Sequence, residues 1–264
     1  MTRFFDTNYL FENFGGTFGA SSSSATAYLS FDEDRSFSWS SDGEGTDGDA
    51  IYLERTLDAP ATVNRIFVKD TNISNLTIEV DVGVGYVALS SASTFTLIKS
   101  NAGDNYFYEL DSSINLSKIK LIGSNTIVAN QEKTIKQCLA FQELGVLSSN
   151  DDIQPKRTRI QAITKLNSGK VDIVNKGLTW EFKLKLKSHY KAEDNAIINA
   201  ILQRSAEIWV WLNDNNEDSM VMLQEPWRFG DLYKLTFQKG DAPRFDKNMF
   251  FSGINVDFNL IEVA

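Results

Sequence analysis

The sequence predicts an all-β protein made of two β-sandwich domains, the second flanked by one helix. Three observations carry that prediction. Short apolar alternations with turn clusters between them fill the chain, and no helical period of useful length precedes residue 148. A polar segment, Ser148 to Arg157, interrupts them once and contains Pro155, which a central strand excludes. At 264 residues and 42% hydrophobic content, the chain is long enough to fill two separate cores.

The elements follow in order. Residues 1–24 read as an N-terminal arm, in which Phe4, Phe5, Tyr9, Leu10, Phe11 and Phe14 precede Gly15-Gly16 and the serine run Ser21 to Ser24. Such a segment packs on its own chain or on a neighbouring subunit before a flexible joint. Residues 25–147 read as the first sandwich. Leu76, Ile78, Val80 and Val82 alternate with polar residues as a half-buried strand requires, and Arg65 to Lys69 and Lys118 to Ile122 are further short strands. Residues 148–157 are the linker.

Residues 158–264 form the second sandwich. Leu178 to Lys187 alternates strictly, with Trp180, Phe182, Leu184 and Leu186 inward and Glu181 and three lysines outward. From 193 to 204, Ile197, Ile198, Ile201 and Leu202 make one helical stripe, with Glu193 and Asp194 in the first turn and Arg204 in the last, as the helix dipole favours. Ile208 to Leu212 is apolar without alternation, a strand covered on both faces, and Leu232 to Phe237 and Ile254 to Ile261 are two more strands.

Charge and composition exclude several classes. A formal charge of −9 argues against a phosphate-binding surface, so nucleic acid is not an expected partner. Asp6 and Asn8 interrupt the N-terminal apolar residues, and no later run reaches the roughly 18 apolar residues of a membrane helix, so neither signal-driven export nor a membrane span is expected. With Cys138 as the single cysteine there is no internal disulfide, and that residue reads as a small buried core side chain.

No catalytic, cofactor or metal site is nominated. His189 is the only histidine and reads as part of a polar turn, Lys187 to Lys191, which leaves no partner set for a hydrolytic triad. Asp42-Gly43-Glu44-Gly45-Thr46-Asp47-Gly48-Asp49 alternates acids and glycines around which calcium could sit, but its spacing is not that of an EF-hand, and a solvated turn is the other reading. Trp39, Trp180, Trp209 and Trp211 read as core. Trp227, Arg228 and Phe229 sit in a turn-rich loop and are the candidate subunit interface.

Ser36-Phe37-Ser38-Trp39-Ser40-Ser41, Arg65-Ile66-Phe67-Val68, Leu76-Thr77-Ile78-Glu79-Val80 and Phe141-Gln142-Glu143-Leu144-Gly145-Val146 stand in the order and spacing of the discoidin, or coagulation-factor C-type, family. The first domain is similar to that family over about residues 25 to 147, which implies a discoidin-like, galactose-binding-like jelly roll with any sugar site on its loop tips. Gly177 to Leu184, the helix from Glu193 and the ending Gly253 to Val263 resemble the tail-tube and distal-tail proteins of long-tailed bacteriophages, in which a sandwich with one helix assembles into rings.

Together the resemblances imply a non-enzymatic virion protein, made in the host cytoplasm and placed in the tail. It would form a homo-oligomeric ring, a hexamer by expectation, contact other tail or baseplate proteins, and carry a peripheral domain for host-surface glycan adhesion. The competing expectation is a stand-alone carbohydrate-binding protein with no part in particle assembly.

Overall fold

A computed structural model describes residues 2–11, 15–33, 37–43, 45–100, 102–149, 156–165, 171–188, 192–203, 207–211, 232–237, 244–248 and 253–262. They divide into two compact units. The described residues of the first run from Asp6 to Glu143; those of the second come from Met1–Phe5, Leu144–Asp218 and Gly230–Ala264. Both are all-β and antiparallel, as the sequence patterning requires. Among the described residues no helix is long and apolar enough to cross a membrane.

The chain opens with β1 (Thr2–Phe5), a strand of the second unit. The first unit then contains β2 (Thr17–Ala20), a 3-10 turn over Ser24–Ser30, β3 (Trp39–Ser40), β4 (Ile51–Thr71) and β5 (Ile73–Asp81). β6 (Tyr86–Ala88), a single helical turn α1 (Leu89–Ala92), β7 (Phe95–Lys99), β8 (Tyr106–Thr126) and β9 (Thr134–Phe141) complete it.

β4 and β8 are 21 residues each and bend, so that each serves two sheets. Ile51 to Thr56 pairs with Lys118 to Gly123, whereas Arg65 to Val68 pairs with Tyr106 to Glu109. The break falls between Thr56 and Ala61, where Pro60 has no N–H to give the ladder. One sheet is therefore β2-β4-β8-β5-β6 and the other β3-β9-β4-β8-β7. Ile51, Leu53, Leu57, Leu76, Ile78, Val80, Ile119 and Leu121 from the first meet Ile66, Val68, Tyr106, Tyr108 and Ile135 from the second in one core. Trp39 and Cys138 are buried there, as expected of both.

The arm packs on its own chain. Phe4 and Phe5 are fully buried, and β1 pairs with Trp209 to Trp211. The expected flexible joint is instead structured: Thr17–Ala20 pairs with Leu53 to Thr56, and the serines lead into the 3-10 turn. The cause is Arg55, which occupies an inward position of β4 and whose guanidinium donates to the carbonyls of Leu10, Phe11, Gly15, Thr17 and Thr56. It also lies 4.2 Å from the Phe18 ring centroid. Gly16 permits the fold-back, since its φ is +96° and a Cβ would stand 2.0 Å from the Thr56 carbonyl oxygen.

The second unit adds β10 (Glu143–Ser149), β11 (Lys156–Lys165), β12 (Val171–Ser188), α2 (Ala192–Gln203), β13 (Ile208–Trp211), β14 (Leu232–Phe237), β15 (Arg244–Asn248) and β16 (Gly253–Glu262). Its sheet runs β11-β12-β10-β1-β13-β14-β16-β15, and a further β12–β16 pairing joins six of these strands into a closed ring. α2 spans the segment expected to be helical, buries Ile198 and Ile201, and brings Ile197 against Gly145, where a Cβ would meet it at 2.3 Å. Ser148 and Ser149, within the polar break, pair with Lys187 and Leu186. β1 and β10 are neighbours in this sheet, so residues 6–143 are an insertion between two adjacent strands of the second unit.

Candidate functional site

Pairing register gathers four connections at one end of the first unit. Ile51 faces Gly123, Ile73 faces Thr126, Val68 faces Tyr106 and Thr71 faces Ile135. The segments around 41–50, 70–73, 100–105 and 125–133 therefore lie together. Asp6 and Gln142, where the chain enters and leaves, are hydrogen-bonded side by side at the opposite end.

Asp47 is the hub of this loop end. Its Oδ1 accepts from the Thr126 amide at 3.1 Å, the Thr126 hydroxyl at 2.9 Å and the Asn130 amide at 3.0 Å. These donors hold its carboxyl below the ordinary value, the Asn130 amide first, with the Lys133 ammonium adding to the effect. Lys133 is buried and donates through Nζ to the Thr46 carbonyl at 2.6 Å, while its own amide donates to the Ser41 hydroxyl. Asn72 ties in the next turn, donating to the Glu132 carbonyl and accepting from the Thr134 amide. Asp104 fixes the last, taking the Ser100 hydroxyl and the Asn105 amide group on Oδ1.

Thr46 to Asp49 of the acidic loop are thus tied into a hydrogen-bonded turn. Among the described residues no three histidine, cysteine, aspartate or glutamate side chains gather as a metal centre would require. What the loop end offers chemically is the exposed polar side chains Asp42, Asp49, Asn130, Gln131 and Glu132 together with the exposed apolar Ile127 and Val128, 45% and 60% exposed. Amide and carboxylate groups beside a small apolar surface suit a ligand carrying hydroxyls and C–H faces.

Of the residues singled out from sequence, Trp227, Arg228 and Phe229 lie outside the described residues, as do His189 and the side chain of Trp180. Trp209 and Trp211 are buried in β13, and Trp39 donates its indole N–H to the Ser22 carbonyl at 3.3 Å. Burial pushes the Cys138 thiol pKa up. Sequence reading missed Arg55, Lys133 and Asn72. Arg55 alone left a signal, as a charged residue at an inward position of the alternation Ile51, Leu53, Arg55, Leu57.

No protein-family model and no curated protein matches the sequence. Among solved structures the chain is similar to chitosan-binding module 1 of a chitosanase/glucanase from Paenibacillus sp. IK-5, at 18% identity over 51% of this chain and 98% of that one, TM-score 0.40. It is similar to the family 32 CBM from C. perfringens NanJ, at 15% identity over 54% and 100%, TM-score 0.41. A third is the F5/8 type C domain of a Bacteroides fragilis protein, at 14% identity over 53% and 97%, TM-score 0.39.

Proposed function

We propose that this protein is a structural component of a bacteriophage tail, a ring-forming distal-tail or baseplate-adjacent subunit whose first unit is displayed for adhesion to a host-surface glycan. The observation that carries the assembly reading is a ribbon. β11 pairs over its whole length with residues 171–181 of β12, and among the described residues it pairs with no other strand. A two-stranded ribbon is marginal in water by itself, and a ten-residue edge leaves a row of N–H and C=O groups open. Neighbouring copies in a closed ring supply what such an edge lacks.

The insertion supports the adhesion part. The first unit is entered and left at one end and carries its rigid loop cluster at the other, which is where an appended binding unit needs its ligand surface. Native mass spectrometry of the full chain and electron microscopy of particles test the whole reading. A defined closed oligomer, six copies by expectation, located beside other tail or baseplate proteins supports it. A chain that stays monomeric at every concentration and is absent from particles refutes it.

The loop end also favours a second reading, a stand-alone carbohydrate-binding protein. Tight glycan binding by a chain that never assembles would select it.

A further inference from the structure

The outer face of sheet β2-β4-β8-β5-β6 carries a cluster that the core does not need. Across it, Glu54, Lys120 and Glu79 stand in one register row, Tyr52, Ile122 and Thr77 in the next, and Thr56, Lys118, Asp81 and Tyr86 in a third. Tyr52 is 41% exposed. The Lys120 ammonium lies 5.5 Å from its ring centroid and 4.1 Å from that of Tyr86, so both rings flank a single cation. That cation is 3.5 Å from Glu54 Oε2, and Lys118 is 3.9 Å from Asp81 Oδ2.

We infer that this sheet face is a carbohydrate platform that takes a neutral glycan, with a sugar ring stacked on Tyr52 and its hydroxyls shared between Lys120 and Glu54. The inference rests on the adhesion reading and adds a site to it, apart from the loop end. Its ligand class follows from the pairing of charges. Two lysines stand among three carboxylates, so an anionic glycan meets Glu54, Glu79 and Asp81, and a cationic one meets Lys118 and Lys120. A hydroxyl donates to carboxylate and accepts from ammonium at once, and gains from both without a net charge. The C–H face of a sugar covers an exposed phenol ring as other apolar groups do. Tyr86 contributes its ring to the cluster rather than a donor, because its hydroxyl is buried and burial, with Glu54 beside it, raises the phenol pKa. The backbone ladder holds all five strands, and little order is lost on binding.

Calorimetric titration of the full chain with a neutral hexose oligosaccharide, its sialylated counterpart and a glucosamine oligomer tests this. Tyr52→Ala should weaken binding of the neutral oligosaccharide about tenfold, and Tyr52→Phe should retain it. Leu97→Ser, an exposed change on the other sheet, serves as the unchanged control, and thermal melts confirm that each variant folds. A Tyr52→Ala protein that binds as wild type overturns the platform. Loss of binding in Ile127→Ser with Tyr52→Ala intact does so too, while leaving the adhesion reading in place. Binding of only a charged oligosaccharide overturns the neutral assignment. If no glycan of any charge binds, the adhesion reading falls with it.

Discussion

Replacing Arg55 by methionine tests how the N-terminal arm is held. The stem of the side chain is retained and the guanidinium is lost from a site with no solvent exposure. Of its five carbonyl acceptors, Leu10, Phe11, Gly15 and Thr56 lie within 3.2 Å and Thr17 is at 3.5 Å. At about 1 kcal/mol net for each of the four shorter bonds, the substitution costs about 4 kcal/mol. For a chain of this length that corresponds to a fall in Tm on the order of 10 °C. Arg55→Lys should recover only part of this, because one ammonium cannot reach acceptors arranged around a planar fork. The assay pairs calorimetry with amide hydrogen exchange, which should show the loss concentrated at residues 10–11 and 15–20. A fall of less than about 3 °C with unchanged exchange there would refute the clamp.

Gly16→Ala forces a Cβ to 2.0 Å from the Thr56 carbonyl oxygen at a φ of +96°, and should destabilise by about 2 kcal/mol or more in urea denaturation. Asp47 has a folded pKa below its ordinary 3.8, so its contribution is fully present above that value and is lost as pH falls through the lower folded one. The protection of the Thr126 and Asn130 amides, taken relative to their intrinsic exchange at each pH, should therefore fall only at strongly acid pH, and Asp47→Ala should abolish that acid dependence. The Cys138 thiol, buried and raised in pKa, should react with a thiol reagent only as fast as the first unit opens; rapid modification of the folded protein would contradict the assigned core position.

Much of the scaffold was legible because burial imposes a period. β12, β14 and β16 each contain the strand read from the sequence, β5 ends at Asp81 against an expected Val82, β13 covers Ile208–Trp211 of an expected Ile208 to Leu212, and α2 covers Ala192–Gln203 against an expected 193–204. Trp39, Trp209, Trp211 and Cys138, all read as core, are buried. The arm was harder. Phe4 and Phe5 announce a buried strand, but two adjacent apolar residues do not say which sheet takes them, and a joint was expected where β2 forms.

The loop end was legible only as an acidic turn. Asp47 finds Thr126 and Asn130 at sequence separations of 79 and 83, and Arg55 finds its carbonyls 38 to 45 residues upstream apart from that of Thr56. That the chain is all-β with one helix near residue 193 was readable from residue order alone, since both follow from which side chains avoid water along a local period. The division of β4 and β8 between two sheets, the insertion of residues 6–143 and the roles of Arg55, Asp47 and Lys133 in holding the loops emerge from the folded chain. Those outcomes depend on which distant hydrogen-bonding group each polar atom meets, and local periodicity carries no record of that choice.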